Sequence, residues 1–284
     1  MKVGAHVSTA GGVDKAIDRA QEIGAEAVQF FCSSPQGWAF KPLAEGVVQS
    51  FREKALATGI GPNFLHCIYL VNLGTADPAM LQKSVGALMN YMQAAAQLGC
   101  AGVIFHGGSH KGAGYEAIFG QTVASLARVL EASPPGPSLC IENSAGMGNH
   151  IGSKFEEIGR ILKALQSERV KVCMDTQHTF AAGYRITERE GLERAMEEFD
   201  REIGLGNLAA VHANDSKPAF ASGVDRHENI GEGQMGEQGF EVIMAHPAFR
   251  NLPFFLEVPG SEGKGPDKAN VDRLKAIRVR VLPK

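Results

Sequence analysis

The chain has 284 residues, a formal net charge of −3 at neutral pH, 44% hydrophobic residues and 21% charged ones, the balance of a globular protein with a sizeable core. No apolar run approaches the roughly 20 residues of a membrane-spanning helix. The amino terminus, MKVGAHVSTAGG, turns polar too soon for a secretory signal, so a cytoplasmic protein without a membrane partner is expected. On bulk charge alone a nucleic-acid partner is disfavoured.

In chain order, β-type runs alternate with helical patterns. Strands are predicted over 2–7, 27–31, 61–66, 102–106, 138–142, 171–175, 208–213 and 253–257, and helices, among others, over 10–23, 78–98 and 153–165. The 78–98 segment carries Met80, Leu81, Val85, Leu88, Met89 and Met92 at helical spacing and ends at Gly99. Core packing accounts for that stripe better than a cofactor box. Strict alternation implies a parallel sheet, and eight repeats suggest closure into a (β/α)8 TIM barrel. No linker divides the chain, so residues 1–284 read as one domain. The longest break in the alternation, 214–238, is expected to be functional.

The five cysteines, Cys32, Cys67, Cys100, Cys140 and Cys173, are scattered, with no C-x-x-C pair, which fits reduced thiols. Cys67 and Cys173 fall beside candidate metal ligands, but small buried thiols in or beside strands are the better account.

A barrel collects functional side chains at the carboxyl ends of its strands. His6, His66, His106, Glu142, Asp175, His212 and Glu257 all fall at or near predicted strand ends. One such histidine is ordinarily a hydrogen-bonded structural residue. A whole set in equivalent places makes a poor core unless a cation partners it. Imidazole and carboxylate ligands without thiolates suit zinc, manganese or iron. Asp175 and His178, three apart, and Asp225 and His227, two apart, add local pairs. His6 lacks a sequence neighbour of this type and is expected to support a ligand rather than bind. His110, His150 and His246 fall outside the pattern.

Several segments resemble one family. They are His66-Cys-Ile-Tyr69-Leu70-Val-Asn72, Phe105-His106-Gly-Gly-Ser109, Ile141-Glu142-Asn143-Ser-Ala-Gly146, Asp175-Thr-Gln-His178-Thr-Phe-Ala-Ala-Gly183-Tyr184, His212-Ala-Asn214-Asp215-Ser-Lys217, Val224-Asp225-Arg226-His227-Glu-Asn-Ile-Gly-Glu-Gly233 and Leu256-Glu257-Val-Pro259-Gly260. Over essentially the whole chain the sequence resembles endonuclease IV, a family of trinuclear zinc TIM barrels that cut double-stranded DNA on the 5′ side of abasic sites in base excision repair. The resemblance implies three Zn2+ per chain, one of them exchangeable for Mn2+ or Fe2+. His66, His106 and Glu142 would hold one ion. Glu142 would bridge to a second, completed by Asp175, His212 and Glu257, and His178, Asp225 and His227 would hold the third. Glu142 and Glu257 would be the catalytic carboxylates, the ions would activate water and neutralise phosphate, and 3′-repair phosphodiesterase activity would accompany incision. Four ligand carboxylates bring about −4 and three ions about +6, which makes the mouth positive despite the bulk charge.

The resemblance also implies DNA contacts from Gln36, Trp38, Tyr69, Leu70, Lys217 and Arg226, with Tyr69 and Leu70 entering the base stack. The family is generally monomeric, with no obligate protein partner. This chain departs from the pattern at Gln36, where the family usually carries arginine, at Gly107 in place of proline and at Arg185 in place of aspartate. None is a ligand. Two rival readings share features with this one: a metal-dependent sugar isomerase or epimerase of the xylose-isomerase-like barrel type, and a non-catalytic protein that binds damaged DNA. The first has no use for a third ion, and the second has no use for a hydrolytic cluster.

Overall fold

The computed structural model describes residues 1–282. In chain order its elements are β1 (Lys2–His6), α1 (Lys15–Glu22), β2 (Ala27–Phe30), α2 (Glu45–Thr58), β3 (Phe64–His66), α3 (Pro78–Leu98), β4 (Gly102–His106), α4 (Tyr115–Ala132), β5 (Ser138–Glu142) and α5 (Phe155–Leu165). They continue with β6 (Val170–Asp175), α6 (Thr176–Ala181), α7 (Arg189–Glu202), β7 (Leu208–His212), β8 (Asp215–Ser216), β9 (His227–Glu228), α8 (Gly236–Ala245), β10 (Pro253–Leu256) and α9 (Lys268–Val281). Eight strands close into a parallel barrel in the order β1-β10-β7-β6-β5-β4-β3-β2, as the alternation predicts.

The boundaries differ where local chemistry intervenes. The predicted 10–23 helix starts only at Lys15, because Gly11 and Gly12 take positive φ values of 88° and 136° and turn the chain first. Strand β3 begins at Phe64 rather than Gly61, since Pro62 has no N–H to give to the ladder. Helix α3 matches its predicted span. The Asp77 carboxylate accepts from Ala79 N at 2.8 Å, Pro78 occupies the first turn, and Gly99 closes the end with φ 71°. Val85, Leu88 and Met92 are buried on its inner face, so its stripe is core. The 214–238 break is not plain loop: β8 and β9 pair antiparallel within it, with Ser216 opposite His227.

The barrel interior is a layer of apolar side chains. Ala27, Phe64, Ile104, Cys140, Cys173, Ala210 and Phe255 form their own buried cluster, separate from the larger core between barrel and helices. The Phe64 and Phe255 rings meet edge to face at 5.6 Å. Gly4 makes room for the second ring, because a Cβ there would stand 2.7 Å from Phe255 Cδ1 and 2.7 Å from Ala27 O. No helix is long and apolar enough to cross a membrane among the described residues.

Candidate metal centre

Strand side chains repeat with a period of two, so residues two positions beyond an inward-facing one face inward again, one layer higher. Counting two from each member of the apolar layer, and from Gly4, reaches His6, Gln29, His66, His106, Glu142, Asp175, His212 and Glu257. The polar ring at the carboxyl mouth is therefore the next storey of the same barrel. Seven of its eight members carry the predicted strand-end chemistry. The eighth, Gln29, lies outside the predicted set.

His178 joins the ring from α6, whose N-cap is Asp175; the Asp175 carboxylate accepts from His178 N at 2.8 Å. His227 arrives on β9, and Asp225 precedes it. Three groups of donor atoms form: His66, His106 and Glu142; Glu142, Asp175, His212 and Glu257; and Asp175, His178 and His227, the atoms within each lying within 4.8 Å of one another. Asp225 stands beside the third, with Oδ2 3.3 Å from His178 Nε2 and Oδ1 3.5 Å from His227 Nε2. Glu142 belongs to two groups. Its Oε2 is 3.2 Å from His66 Nε2 and its Oε1 is 3.0 Å from His212 Nδ1. Cys67 and Cys173 lie outside all three groups and are buried. Burial pushes the Cys173 thiol up to about 11, so it packs as a neutral side chain.

The hydrogen bonds on the outer side of the imidazoles decide what the inner side can bind. The Nδ1 of His66 faces Cys67 O at 2.7 Å, that of His178 faces Asn143 O at 2.9 Å, and that of His227 faces Glu257 O at 3.2 Å. A carbonyl only accepts, so each of these nitrogens carries the proton and leaves a lone pair on Nε2. Those lone pairs point among carboxylate oxygens. The Nε2 atoms of His178 and His227 have no hydrogen-bond partner although buried. Lone pairs facing acceptors repel unless a cation lies between them, and this donor set of imidazoles and carboxylates is one that zinc and similar ions take. The residues fit a metal cluster.

The pKa shifts show the same pull on positive charge, with protons on the imidazoles in the place an ion would take. Burial alone would raise the Glu142 carboxyl, but His106, His212 and His178 hold it well below the ordinary range. Glu257 behaves likewise through His212 and His6. Asp175 is raised by burial and by Glu142, against the imidazoles of His178, His227 and His212. Burial opposes the charged imidazole at His178, yet Asp175, Asp225 and Glu142 raise it well above its ordinary value. His106 is lowered to about 4, by burial first and by His66 and His178.

Buried amides frame the ligands. Asn143 Oδ1 accepts from Asp175 N at 2.8 Å, and Asn214 donates Nδ2 to Asp175 Oδ2 at 2.7 Å while accepting from Glu257 N at 2.8 Å. His6 Nδ1 sits 2.9 Å from Glu257 Oε1, the supporting place expected for it. Asp215 gathers five backbone N–H groups, from Ser216, Gly231, Gly233, Met235 and Gly236, at 2.7–3.2 Å. Asn143, Asn214 and Asp215 each fall within three residues of a candidate ligand in sequence and inside the segments that carry the family resemblance. Of the other histidines, His246 pairs with Glu193 at 3.4 Å, and His150 lies on the loop after β5.

Above the ring, Tyr69 is half exposed, edge-on to Phe31 at 5.2 Å and stacked near His106 at 6.2 Å. With Leu70, His150 and Asp225 it lines a cleft of about 500 Å³. Arg226 lines the adjoining recess over His106, His178 and His227. Lys217 is exposed, 4.0 Å from Glu228. Gln36 is exposed and Trp38 is partly buried against the core; neither is among the residues lining these two clefts.

A family model described as xylose isomerase-like TIM barrel matches residues 17–278. A protein of Methanoculleus marisnigri described as probable endonuclease 4 is 40% identical over 277 residues, which cover 97% of this chain and 98% of that protein. The crystal structure of endonuclease IV from Thermus thermophilus superposes with a TM-score of 0.87 at 31% identity, covering 99% of this chain and 100% of that one. A D-tagatose 3-epimerase-like protein superposes with a TM-score of 0.75 at 18% identity, covering 99% of this chain and 97% of that one, a likeness of fold alone.

Proposed function

The chain belongs to the endonuclease IV family of xylose isomerase-like TIM barrels, and from that premise we propose that it is a metal-dependent nuclease hydrolysing the DNA phosphodiester 5′ to an abasic site. The products are a 3′-hydroxyl and a 5′-deoxyribose phosphate, and blocked 3′ ends are trimmed by the same centre. The observation that carries the reading is the polar storey of the barrel, with inner imidazole nitrogens aimed among buried carboxylates.

In this reading three zinc ions, one exchangeable for Mn2+ or Fe2+, would be held by His66, His106 and Glu142, by Glu142, Asp175, His212 and Glu257, and by His178, Asp225 and His227. Bound ions supply Lewis acidity, which neutralises phosphate charge and activates the attacking water. The side chains do the rest. Glu142, with an oxygen toward each of two groups, fixes their separation. Glu257 holds the opposite wall, tied through its backbone N–H to Asn214. No protein nucleophile is needed. Tyr69 and Leu70 take the space of the missing base and hold the duplex bent, Arg226 and Lys217 meet backbone phosphates, and Gln36 and Trp38 extend the contact along the β2 loop. The enzyme works as a single-domain monomer in the cytoplasm.

Sugar epimerases share this barrel, but a third ion at His178, Asp225 and His227 would have no task in a reaction served by one or two ions. The deciding experiment is incision of a duplex carrying one synthetic abasic site, with and without chelator. Glu142→Gln is expected to lower the rate about a hundred- to a thousandfold, the range seen when a charge-stabilising group is removed, with the circular dichroism spectrum unchanged. Unchanged activity would remove Glu142 from its bridging role.

A further inference from the structure

Gln29 interrupts an apolar strand, Ala27-Val28-Gln29-Phe30, and is wholly buried inside the barrel. A buried amide is costly unless its hydrogen bonds are made, and here they are made to two groups of one donor set. Nε2 lies 2.7 Å from Glu257 Oε1 and 3.0 Å from His6 Nδ1, and Oε1 lies 2.8 Å from His212 Nε2. The orientation of the amide follows from its partners. The carboxylate of Glu257 only accepts, so the NH2 end must face it, and the oxygen must then face His212. An amide oxygen only accepts, so His212 carries its proton on Nε2. Its lone pair is thereby placed on Nδ1, the atom 3.0 Å from Glu142 Oε1, 3.3 Å from Glu257 Oε2 and 3.8 Å from Asp175 Oδ2.

We propose that Gln29 is a positioning residue of the metal centre: one side-chain amide selects the metal-binding tautomer of His212 and at the same time aims the Glu257 carboxylate. His66, His178 and His227 have their outer nitrogens fixed by backbone carbonyls, which no substitution of their own side chain removes. Of these four imidazoles, His212 alone depends on a side chain, one that reaches across the barrel interior from β2 to β7 and to the end of β10. The second donor group is therefore the one whose geometry a single substitution can disorder without touching a ligand.

The proposal rests on the reading of the ring as a metal centre, and its test separates the two. Zn2+ affinity and stoichiometry are measured by chelator competition on the whole chain and on Gln29→Met, which fills similar space without hydrogen bonds, with circular dichroism to report the fold. One of three equivalents is expected to bind about 10- to 100-fold more weakly in the variant, the usual effect of losing a group that orients a ligand, while the other two hold. A folded Gln29→Met with three unchanged affinities overturns the proposal and leaves the metal reading intact. A wild-type chain that takes up no zinc overturns both. Should Gln29→Met fail to fold, long-range 15N–1H correlation spectra of the zinc-loaded wild type decide. They are expected to show His212 protonated on Nε2, and protonation on Nδ1 overturns the proposal.

Discussion

Asp215 offers the sharpest test of how the β8–β9 loop is held. Its carboxylate is wholly buried and receives five backbone N–H groups. In Asp215→Ala these donors divide into two kinds. Ser216 and Met235 are buried residues, and their N–H groups would be left dry at about 1–3 kcal/mol each. Those of Gly231, Gly233 and Gly236 sit on partly or fully exposed residues, recover water, and lose only a net fraction of about 0.5–1.5 kcal/mol apiece. Because the bonds share one acceptor and are not additive, the expected cost is roughly 3–6 kcal/mol, a large part of the stability of an ordinary domain. Denaturant unfolding with a shared slope measures it. Asp215→Asn, which keeps one acceptor oxygen, should fall between. His227 lies opposite Ser216 in the same pairing, so the third donor group should loosen in parallel and zinc uptake should drop. A loss below about 1 kcal/mol for Asp215→Ala would refute the reasoning, because the loop would then be held by something other than this carboxylate.

Stripping metal with a strong chelator should lower the melting temperature; if a single ion is held at roughly 1,000 times its dissociation constant it contributes about 4 kcal/mol, worth about 8–16 °C, and a melt indifferent to chelator would contradict a metal centre. Tyr69→Ala should weaken binding to an abasic duplex by roughly 5- to 150-fold, the range of one base–aromatic stack of about 1–3 kcal/mol, with unfolding free energy little changed because the ring is half exposed; fluorescence anisotropy checks the first and urea melts the second. Asp267 caps α9. Burial raises its carboxyl, but the N–H groups of Ser261 and Asn270 outweigh that and hold it well below the ordinary range. Its contribution is thus present above a pH of about 4 and fades as pH falls below it. Asp267→Ala should cost about 1 kcal/mol at neutral pH, with the difference from wild type shrinking in melts at progressively lower pH; a difference independent of pH would refute the assignment.

Much of the site could be read from the chain because barrel geometry turns strand ends into neighbours. His66, His106, Glu142, Asp175, His212 and Glu257 are each the last inward residue of a strand or the first beyond it, a position that hydrophobic alternation alone locates. His178 and the Asp225–His227 pair were legible as local spacings beside the strand ends, but their grouping around a third ion needed the resemblance, since a loop histidine carries no periodicity. Gln29 stayed hidden for another reason. The two partners in the donor set, His212 and Glu257, lie 183 and 228 residues away, and from sequence a glutamine in an apolar strand is only an imperfect strand residue. The same holds for the Asp215 carboxylate, whose five partners are main-chain groups that carry no residue type to search for. Strand and helix starts slipped where Gly11, Gly12 and Pro62 imposed backbone constraints stronger than the apolar pattern.

The apolar layer beneath the ring has an electrical consequence. Ala27, Phe64, Ile104, Cys140, Cys173, Ala210 and Phe255 form a buried floor, apolar but for two thiols, that responds weakly to charge above it, so field lines spread poorly in that direction and leave mainly through the mouth. The barrel thereby acts as a one-sided emitter. A centre only a few charges in excess can present a strong potential to a polyanion arriving from the open side, although the chain as a whole carries a formal net charge of −3. Polarity introduced into that floor, as by Ala210→Ser or Cys140→Ser, would let part of the field return through the interior and weaken attraction at the mouth without altering a single ligand.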